Sequence, residues 1–269
     1  MYFSDYHVHT NFSDDCSETM EAMVKKAIEL GLRELAFTDH VDFDYPDPNF
    51  PFLIDYDRYT EEFNAMKERY KDSIELLLGV EIGMQPHVYS DIEALVSKYP
   101  FDFIIGSVHA ADRMDFCSPD FFIGKTQYEA YMRYFENVLE NVKLYSAMFD
   151  VLGHKDLIVR YGGFDSTDVD WLYFDEIIDE ILKVLIKNGR GIELNTSGFR
   201  YGLERPHPHP YILERYKSLG GEIITLGSDA HTAGHICADF DFAYSMLREY
   251  GFKSICSFRS RKHSFIEIP

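Results

Sequence analysis

Short apolar runs alternate with longer segments of helical periodicity along the whole chain. The runs at 74–80 and 101–106 are rich in Ile, Leu or Phe and are bounded by polar turns, as expected of parallel strands buried on both faces. The helical segments carry apolar residues three and four positions apart and stop at glycines such as Gly31 and Gly189. The predicted strands lie near 2–8, 34–39, 74–82, 101–108, 149–153, 190–195 and 222–228. The predicted helices lie near 18–30, 56–71, 87–98, 126–147, 171–188, 207–218 and 238–250.

Seven β/α units follow from this alternation, and one more strand near 253–257 is predicted to cover an edge. The loops after the carboxyl ends of the strands are long, whereas the opposite loops have only a few residues. Long loops on one rim are typical of a binding pocket. We therefore predict a closed or nearly closed α/β barrel in which residues 1–269 form a single domain. The long loops are predicted at 41–55, 109–125, 154–170 and 196–206.

Composition narrows the possible function classes. The 269 residues carry a formal net charge of −20 and no basic stripe, which argues against a nucleic-acid partner or binding to a membrane surface. No apolar run approaches the roughly 20 residues that a membrane-spanning helix needs. The cysteines show no paired spacing, and the amino terminus shows no leader pattern. We therefore expect a reduced, cytoplasmic protein, and the sequence makes no prediction of its oligomeric state.

Side chains with metal-ligand chemistry stand at the ends of the predicted strands. His7 and His9 are two positions apart on a strand, so both project to the same face and can bind one ion. A single His-x-His pair is weak evidence, because any one of these residues could simply form a hydrogen bond at a strand end. In an α/β barrel, however, all such strand ends meet at one rim. The strand ends carry His7, His9, Asp39, His40, Glu81, His109, His154, Asn195, Asp229 and His231.

Six short motifs carry a family resemblance. They are His7-Val8-His9-Thr10, Thr38-Asp39-His40, Gly79-Val80-Glu81, Ser107-Val108-His109, Gly153-His154 and Gly227-Ser228-Asp229-Ala230-His231. In order and spacing they resemble the polymerase and histidinol phosphatase (PHP) family of metal-dependent phosphoesterases, over essentially the whole chain. The resemblance implies a distorted (β/α)7 TIM-like barrel that holds three divalent metal ions, with Zn, Mn and Fe as the candidate ions.

The resemblance also implies how the ligands divide among the ions. The first ion would be bound by His7, His9, Glu81 and Asp229, the second by Glu81, His109 and His154, and the third by His40, His231 and a residue of the first loop. Family members often place a histidine eight residues after the first His of His-x-His, where this chain has Asp15 beside Asp14. We expect Asp15 to be the ligand; the alternative is that both aspartates begin a solvated loop. A carboxylate there favours harder ions than an imidazole does.

The chemistry that follows is hydrolysis of a phosphate ester. Coordination lowers the pKa of water, so a hydroxide bridging the first two ions would attack phosphorus in line, with Asp229 holding it and passing a proton. Three divalent ions outweigh the carboxylates of Asp15, Glu81 and Asp229, so the site would attract a phosphate dianion despite the acidic chain. A planar guanidinium can grip phosphate oxygens with two hydrogen bonds. Arg160 and Arg200, on rim loops, are the first candidates, ahead of Arg113 and Arg205, and Arg160 would also stabilise the transition state.

Substrate preference is expected to come from the rim loops. His207 could reach the rim and donate to the phosphate or to the leaving oxygen. Asp42 and Asp44, or Asp112 and Asp115, could hold an ammonium group. Within the family the chain resembles the single-domain histidinol phosphatases, on the stretch 29–42 and a large second insert, which implies hydrolysis of L-histidinol phosphate to L-histidinol and phosphate in histidine biosynthesis. The alternatives are a related phosphoesterase that acts on nucleotides or oligonucleotide ends, and a non-catalytic, metal-stabilised binding module.

Overall fold

Seven parallel strands form the central sheet in a computed structural model, which describes residues 3–164 and 169–268. The undescribed residues include the start of the predicted strand 2–8 and part of the predicted loop 154–170. The seven strands are β1 (Ser4–Val8), β2 (Glu34–Phe37), β4 (Glu75–Gly83), β5 (Phe103–Ser107), β8 (Val151–Leu152), β9 (Gly191–Asn195) and β10 (Ile224–Gly227), and they lie side by side in this order. A short additional strand, β3 (His40–Val41), pairs with the end of β4.

The first and last strands of this sheet meet at their carboxyl ends, so the sheet is nearly closed into a barrel. A parallel bridge joins Val8 to Ala230, with the His9 amide donating to the Ala230 carbonyl at 2.9 Å. The pairing of β1 with β2 shifts register between Asp5 and Val8. The predicted distorted (β/α)7 barrel is therefore confirmed. Its seam sets the His7-Val8-His9 segment beside the segment that follows β10.

Helices cover the outer face of the sheet, and the main hydrophobic core fills the layer between them. Their apolar residues recur with helical spacing. In the helix Asp175–Lys187, for example, the residues with this spacing are all fully buried: Ile178, Ile181, Leu182 and Leu185. The longest helix begins with a capping box in which Thr126 and Glu129 satisfy each other's backbone amides. The helices are α1 (Met20–Glu29), α2 (Tyr56–Tyr70), α3 (Tyr89–Lys98), α4 (Gln127–Tyr145), α5 (Asp175–Lys187), α6 (Ser197–Arg200), α7 (Pro210–Ser218) and α8 (Phe240–Glu249).

A carboxyl-terminal hairpin covers the amino-terminal end of the barrel. The sequence predicts one strand near 253–257, but the structure has two antiparallel strands, β11 (Ser254–Arg259) and β12 (Lys262–Glu267), which form a separate sheet. Alternate residues of β11, Cys256 and Phe258, pack into a second core with barrel residues that include Tyr6 and Phe103. The hairpin therefore closes the bottom of the barrel and leaves the opposite rim for a site.

The long loops lie on that opposite rim, as predicted. The loop after β5 contains a small hairpin, β6 (Ala110–Ala111) with β7 (Met114–Asp115), and the 3₁₀ helix Pro119–Phe122. The predicted helix 207–218 begins later, because His209 caps it and Pro210 is its first residue. Across 3–164 and 169–268, the structure contains no helix whose length and apolar character would let it cross a bilayer.

Candidate metal centre

Glu81 lies at the centre of a ring of imidazoles on the rim. It is fully buried near the carboxyl end of β4. Its Oε2 atom lies 3.0 Å from His40 Nδ1, 3.1 Å from His7 Nε2 and 3.6 Å from His9 Nε2. Its Oε1 atom lies 2.9 Å from His154 Nε2 and 3.3 Å from His109 Nε2. One carboxylate therefore faces two groups of imidazoles, as a bridging ligand would.

Asp229 approaches the same cluster from the other side of the barrel seam. Its backbone has φ of 54°, a left-handed conformation that turns the chain sharply after β10. Its Oδ1 atom lies 3.4 Å from His9 Nε2 and 3.7 Å from His7 Nε2. His7, His9, Glu81 and Asp229, the four ligands expected for the first ion, are therefore brought together.

Asp15 lies with His40 and His231, as expected for the third group of ligands. Its Oδ2 atom is 3.1 Å from His231 Nε2 and 3.7 Å from His40 Nε2. The His9 ring packs against both of these imidazoles, with ring centroids 4.2 Å from His40 and 4.1 Å from His231. The Asp14 carboxylate is used elsewhere, since it accepts a hydrogen bond from the Phe52 amide at 2.7 Å. The geometry favours Asp15 over Asp14 as a ligand.

The tautomers of these histidines suit metal binding. His7 Nδ1 lies 2.6 Å from Glu193 Oε1, and His109 Nδ1 lies 2.9 Å from Asp42 Oδ1. A carboxylate only accepts, so each Nδ1 carries a proton, and Nε2, which faces Glu81, is the atom that would bind a metal. His231 follows the same rule, because its Nδ1 donates to the Asp229 carbonyl at 3.1 Å.

Several of the buried ligand atoms have no hydrogen-bond partner in the part of the chain that the structure describes. His7 Nε2, His9 Nε2, His40 Nδ1 and Glu81 Oε2 are buried and make no hydrogen bond of acceptable geometry. Such atoms are costly to leave unsatisfied, and a bound cation would satisfy all of them. Among the described residues, four groupings have ligand atoms within 4.8 Å of one another: His9, His40 and His231; His7, His9 and Asp229; His7, Glu81 and His154; and His40, Asp42 and His109. Imidazoles and carboxylates at this spacing fit divalent ions.

The electrostatics of the cluster follow from burial and mutual charge. Burial would lower the pKa of His7, but Glu193, Glu81 and Asp229 raise it well above its usual range. Burial would raise the pKa of Glu81 and of Asp229, but the surrounding imidazoles hold both well below their usual range. The cluster therefore favours ionised carboxylates and a protonated His7, so metal binding at His7 would displace a proton.

A second layer of buried groups, which the sequence analysis missed, supports the ligands. Glu193 is 1% exposed, and its Oε2 accepts from the His154 amide and from Asn195 while its Oε1 accepts from His7. Ser13 Oγ donates to Asp39 and accepts from the His40 amide, and it lies 3.3 Å from His9 Nδ1. A glutamate inside the apolar strand 191–195 was a usable signal for the first of these, since a buried charge needs a partner.

Asp42, the residue predicted to bind the substrate, does not line the cavity. It is 2% exposed, lies behind His109 and hydrogen bonds to it, so its carboxylate supports a candidate ligand instead of facing the cavity. The carboxylate lies directly over Gly83, the last residue of β4, which has no side chain to displace it. Asp44 pairs with Arg113 and His87, and Asp112 pairs with Arg133, outside the cavity.

Arg160 reaches the cluster, whereas the other predicted phosphate contacts do not. Its Nη2 lies 3.8 Å from Asp229 Oδ2, and the side chain lines the cavity. Arg200 instead donates to the carbonyls of Ser228 and Asp229 and so supports the loop that carries Asp229. His207, the residue predicted to donate to phosphate, does not line the cavity: it is fully buried and both ring nitrogens are engaged, by Asp156 and by Arg160.

A cavity of about 360 Å³ opens over the metal-ligand cluster. Asp15, His40, His109, His154, Asp229 and His231 form its floor, and Arg160 lies on one side. Its walls are aromatic or acidic and come from the rim loops: Tyr45, Phe52, Asp115, Phe116, Tyr161 and Tyr201. The cavity therefore has a guanidinium that can bind an anion next to the metal ligands. Its rim loops add flat aromatic surfaces and the carboxylate of Asp115.

Comparisons with known proteins agree with this arrangement. The PHP domain family model matches residues 5–197. A histidinol-phosphatase from Lactococcus lactis is 31% identical over 262 residues, covering 96% of this chain and 95% of that protein, and a probable histidinol-phosphatase from Clostridium acetobutylicum is 30% identical. A crystal structure of the Lactococcus lactis histidinol phosphate phosphatase, complexed with zinc, L-histidinol and phosphate, matches with a TM-score of 0.89 at 30% identity and covers 97% of this chain and 98% of that chain. A putative histidinol phosphatase structure from Listeria monocytogenes, 21% identical with a TM-score of 0.77, shows the same fold.

Proposed function

Because this chain belongs to the PHP domain family, we propose that it is a metal-dependent phosphatase that hydrolyses L-histidinol phosphate to L-histidinol and phosphate. One observation carries the proposal: a buried cluster of unsatisfied metal ligands lies beside a guanidinium at the floor of a cavity with aromatic and acidic walls. A relative of nearly the same length and fold, whose structure holds zinc, L-histidinol and phosphate, supports the substrate.

The number and identity of the ions are part of the proposal. Residues His7, His9, Glu81 and Asp229 would hold one ion, Glu81 with His109 and His154 a second, and Asp15 with His40 and His231 a third. Divalent ions at these ligands supply a water of lowered pKa and positive charge that compensates the phosphate. Zinc, manganese and iron all accept imidazole and carboxylate ligands.

The residues around the ligands have their own tasks. Asp229 lines the cavity, so its carboxylate is placed to accept and return a proton next to the attacked phosphorus. Arg160 binds the non-bridging phosphate oxygens and meets their growing charge in the transition state, so its loss affects both phosphate binding and turnover. Glu81 faces two groups of ligands and would supply one carboxylate oxygen to each.

Substrate preference falls to the cavity wall. Asp115 replaces Asp42 as the group proposed to hold the ammonium of histidinol, because it lines the cavity next to Tyr45. Phe52, Tyr161 and Tyr201 offer flat surfaces against which an imidazole can stack. Asp115→Asn should raise KM for histidinol phosphate and leave KM for p-nitrophenyl phosphate near the wild-type value. A similar loss with both esters would exclude Asp115 from substrate recognition.

A substrate screen of the purified protein with manganese or zinc tests the function directly. We expect the highest kcat/KM with histidinol phosphate, compared with p-nitrophenyl phosphate, nucleoside monophosphates and 5′-phosphorylated oligonucleotides. Faster hydrolysis of a nucleotide or an oligonucleotide end would favour the related phosphoesterase over the proposed enzyme. If the metal-loaded protein hydrolysed none of these esters, the result would favour the non-catalytic binding module. The cytoplasmic location and the absence of a nucleic-acid partner stay predictions.

A further inference from the structure

A buried carboxylate and a buried imidazole stand behind Arg160. Asp156 and His207 are both fully buried, and His207 Nδ1 lies 2.5 Å from Asp156 Oδ1. His207 Nε2 lies 2.9 Å from Arg160 Nε. A guanidinium only donates hydrogen bonds, so Nε2 must accept and the proton must be on Nδ1, where it is donated to Asp156. The three side chains therefore form a chain of hydrogen bonds that ends at the cavity.

The imidazole in this chain is neutral. Burial lowers the pKa of His207 to about 4, although the charge of Asp156 opposes this. A neutral ring with its Nε2 lone pair free is the form that can accept from Arg160. A protonated ring would carry a hydrogen on Nε2 and would repel the guanidinium.

The surrounding backbone fixes the positions of Asp156 and His207. His207 exchanges two backbone hydrogen bonds with Asn195, at 2.7 and 2.8 Å, which tie it to the end of β9. Asp156 Oδ2 accepts from Arg205 and from the His209 amide, at 3.1 and 3.0 Å. The pair therefore links the rim loop after β8 to the rim loop after β9, and neither residue can move without breaking several hydrogen bonds.

Arg160 is held from three directions. His207 accepts from Nε, Ser197 Oγ accepts from Nη2, and the Tyr201 ring lies 4.1 Å from the guanidinium carbon. An arginine side chain has many rotamers, and ordering it before the ligand arrives reduces the entropy lost on binding. An arginine held in this way faces Asp229 and the cavity in a fixed orientation.

We propose that Asp156 and His207 are positioning residues that hold Arg160 in its phosphate-binding orientation. This inference rests on the proposed phosphatase function, in which Arg160 contacts the phosphate. Neither residue lines the cavity. Asp156 sets the tautomer of His207, His207 supplies the acceptor, and the guanidinium of Arg160 carries the effect to the cavity.

Binding of inorganic phosphate to the metal-loaded protein tests the proposal. Phosphate affinity would be measured by calorimetry and as competitive inhibition of p-nitrophenyl phosphate hydrolysis, with metal content checked for every variant. We expect His207→Leu and Asp156→Asn each to weaken phosphate binding roughly tenfold, the loss typical of a charge-assisted hydrogen bond. His207→Gln keeps an acceptor at the end of its side chain and should recover most of this affinity. Unchanged phosphate binding in His207→Leu and Asp156→Asn would overturn the proposal.

A matched control and a double variant separate positioning from general damage. Asp150 is 1% exposed and pairs with Arg190 and Arg261, away from the rim, so Asp150→Asn removes a similar buried charge without touching Arg160. It should leave phosphate affinity unchanged. In an Arg160→Ala background, His207→Leu should weaken phosphate binding no further, because its effect passes through the missing guanidinium. Losses that add in the double variant would refute the proposal.

The tautomer provides a readout that needs no metal and no activity. The ¹⁵N shifts of the His207 ring should report a neutral imidazole protonated on Nδ1 in the wild type, and protonation on Nε2 in Asp156→Asn, because the amide can donate to Nδ1. The same tautomer in both proteins would contradict the proposed role of Asp156. A wild-type protein that binds phosphate but does not hydrolyse histidinol phosphate would refute the proposed function and leave this inference standing.

Discussion

Replacing Glu193 by Gln should weaken metal binding without removing any ligand. Glu193 Oε1 accepts from His7 Nδ1 at 2.6 Å, and this contact keeps Nε2, the atom that would bind the metal, directed at Glu81. The variant keeps the shape of the side chain and an oxygen for the His154 amide, but it loses the charge. If the new amide donates to Nδ1, the proton of His7 moves to Nε2, which is the ligand atom.

The size of the effect follows from the type of contact that is lost. A buried hydrogen bond to a charged group contributes roughly 1.5–3 kcal/mol, which corresponds to a change in affinity of about 10- to 150-fold. Loss of a residue that supports a metal ligand commonly lowers metal affinity about 10- to 100-fold, which agrees with this range. We therefore expect Glu193→Gln to need at least about tenfold more free metal for half-maximal activity, and to recover most activity when metal is saturating.

The assay is a titration of the metal-free protein with zinc or manganese in the presence of a competing chelator, followed by phosphatase activity at each free-metal concentration. Glu34→Gln is the control. Glu34 is 5% exposed and accepts from Tyr6 and Arg259 at the opposite end of the barrel, so its loss should lower stability and leave metal affinity unchanged. Equal metal affinity in Glu193→Gln and the wild type would refute the reasoning.

Three further predictions follow from the site. Asp229→Asn should abolish most phosphatase activity in metal-replete buffer, since the residue lies among the ligands and lines the cavity; near-normal kcat would show that the mechanism is wrong. Gly83→Ala should lower activity at limiting metal, because its new Cβ would lie 1.7 Å from Asp42 Oδ1 and push that carboxylate away from His109; unchanged metal dependence would count against this support. Burial lowers the pKa of His231, but the carboxylates of Asp15 and Asp229 outweigh it and raise the pKa from 6.5 to about 9. The interaction of His231 with these carboxylates therefore stabilises the metal-free protein fully below pH 6.5, and this stabilisation is lost as the pH rises through 9. Urea unfolding with chelator present should therefore show a falling free energy of unfolding over this range, and a flat or rising profile would contradict the assignment.

Much of the metal-ligand cluster could be predicted from the sequence because the topology of a barrel brings the ends of its strands together. His7, Glu81 and Asp229 are far apart in sequence, but each stands at the carboxyl end of an apolar run, and parallel strands in a barrel bring those ends to one rim. Local alternation of apolar runs and helical segments was enough to locate these strands. The choice of Asp15 came from the family resemblance, which implies a ligand eight residues after His7, and the structure has its Oδ2 atom 3.1 Å from His231 Nε2.

The roles of the loop residues could not be predicted in this way. Asp42 and His207 carry chemistry that suits a substrate, and the sequence places both on rim loops, but the fold buries both behind other side chains. Whether a loop side chain faces the cavity or lies beneath it depends on the backbone path of each loop, which has no periodicity to read. Asp115, in contrast, lines the cavity from the hairpin that follows β5.

The sequence by itself determined the barrel, the order of its strands along the chain and the candidate metal ligands at the strand ends. Only the tertiary structure decided that Glu193 supports His7, that Asp156 and His207 stand behind Arg160, and that a hairpin closes the bottom of the barrel. The physical reason is that strand ends are gathered by a regular sheet whose geometry is known in advance. Support of one side chain by another depends on packing between segments that are distant in sequence, and a buried polar group takes whichever partner that packing brings within hydrogen-bonding distance.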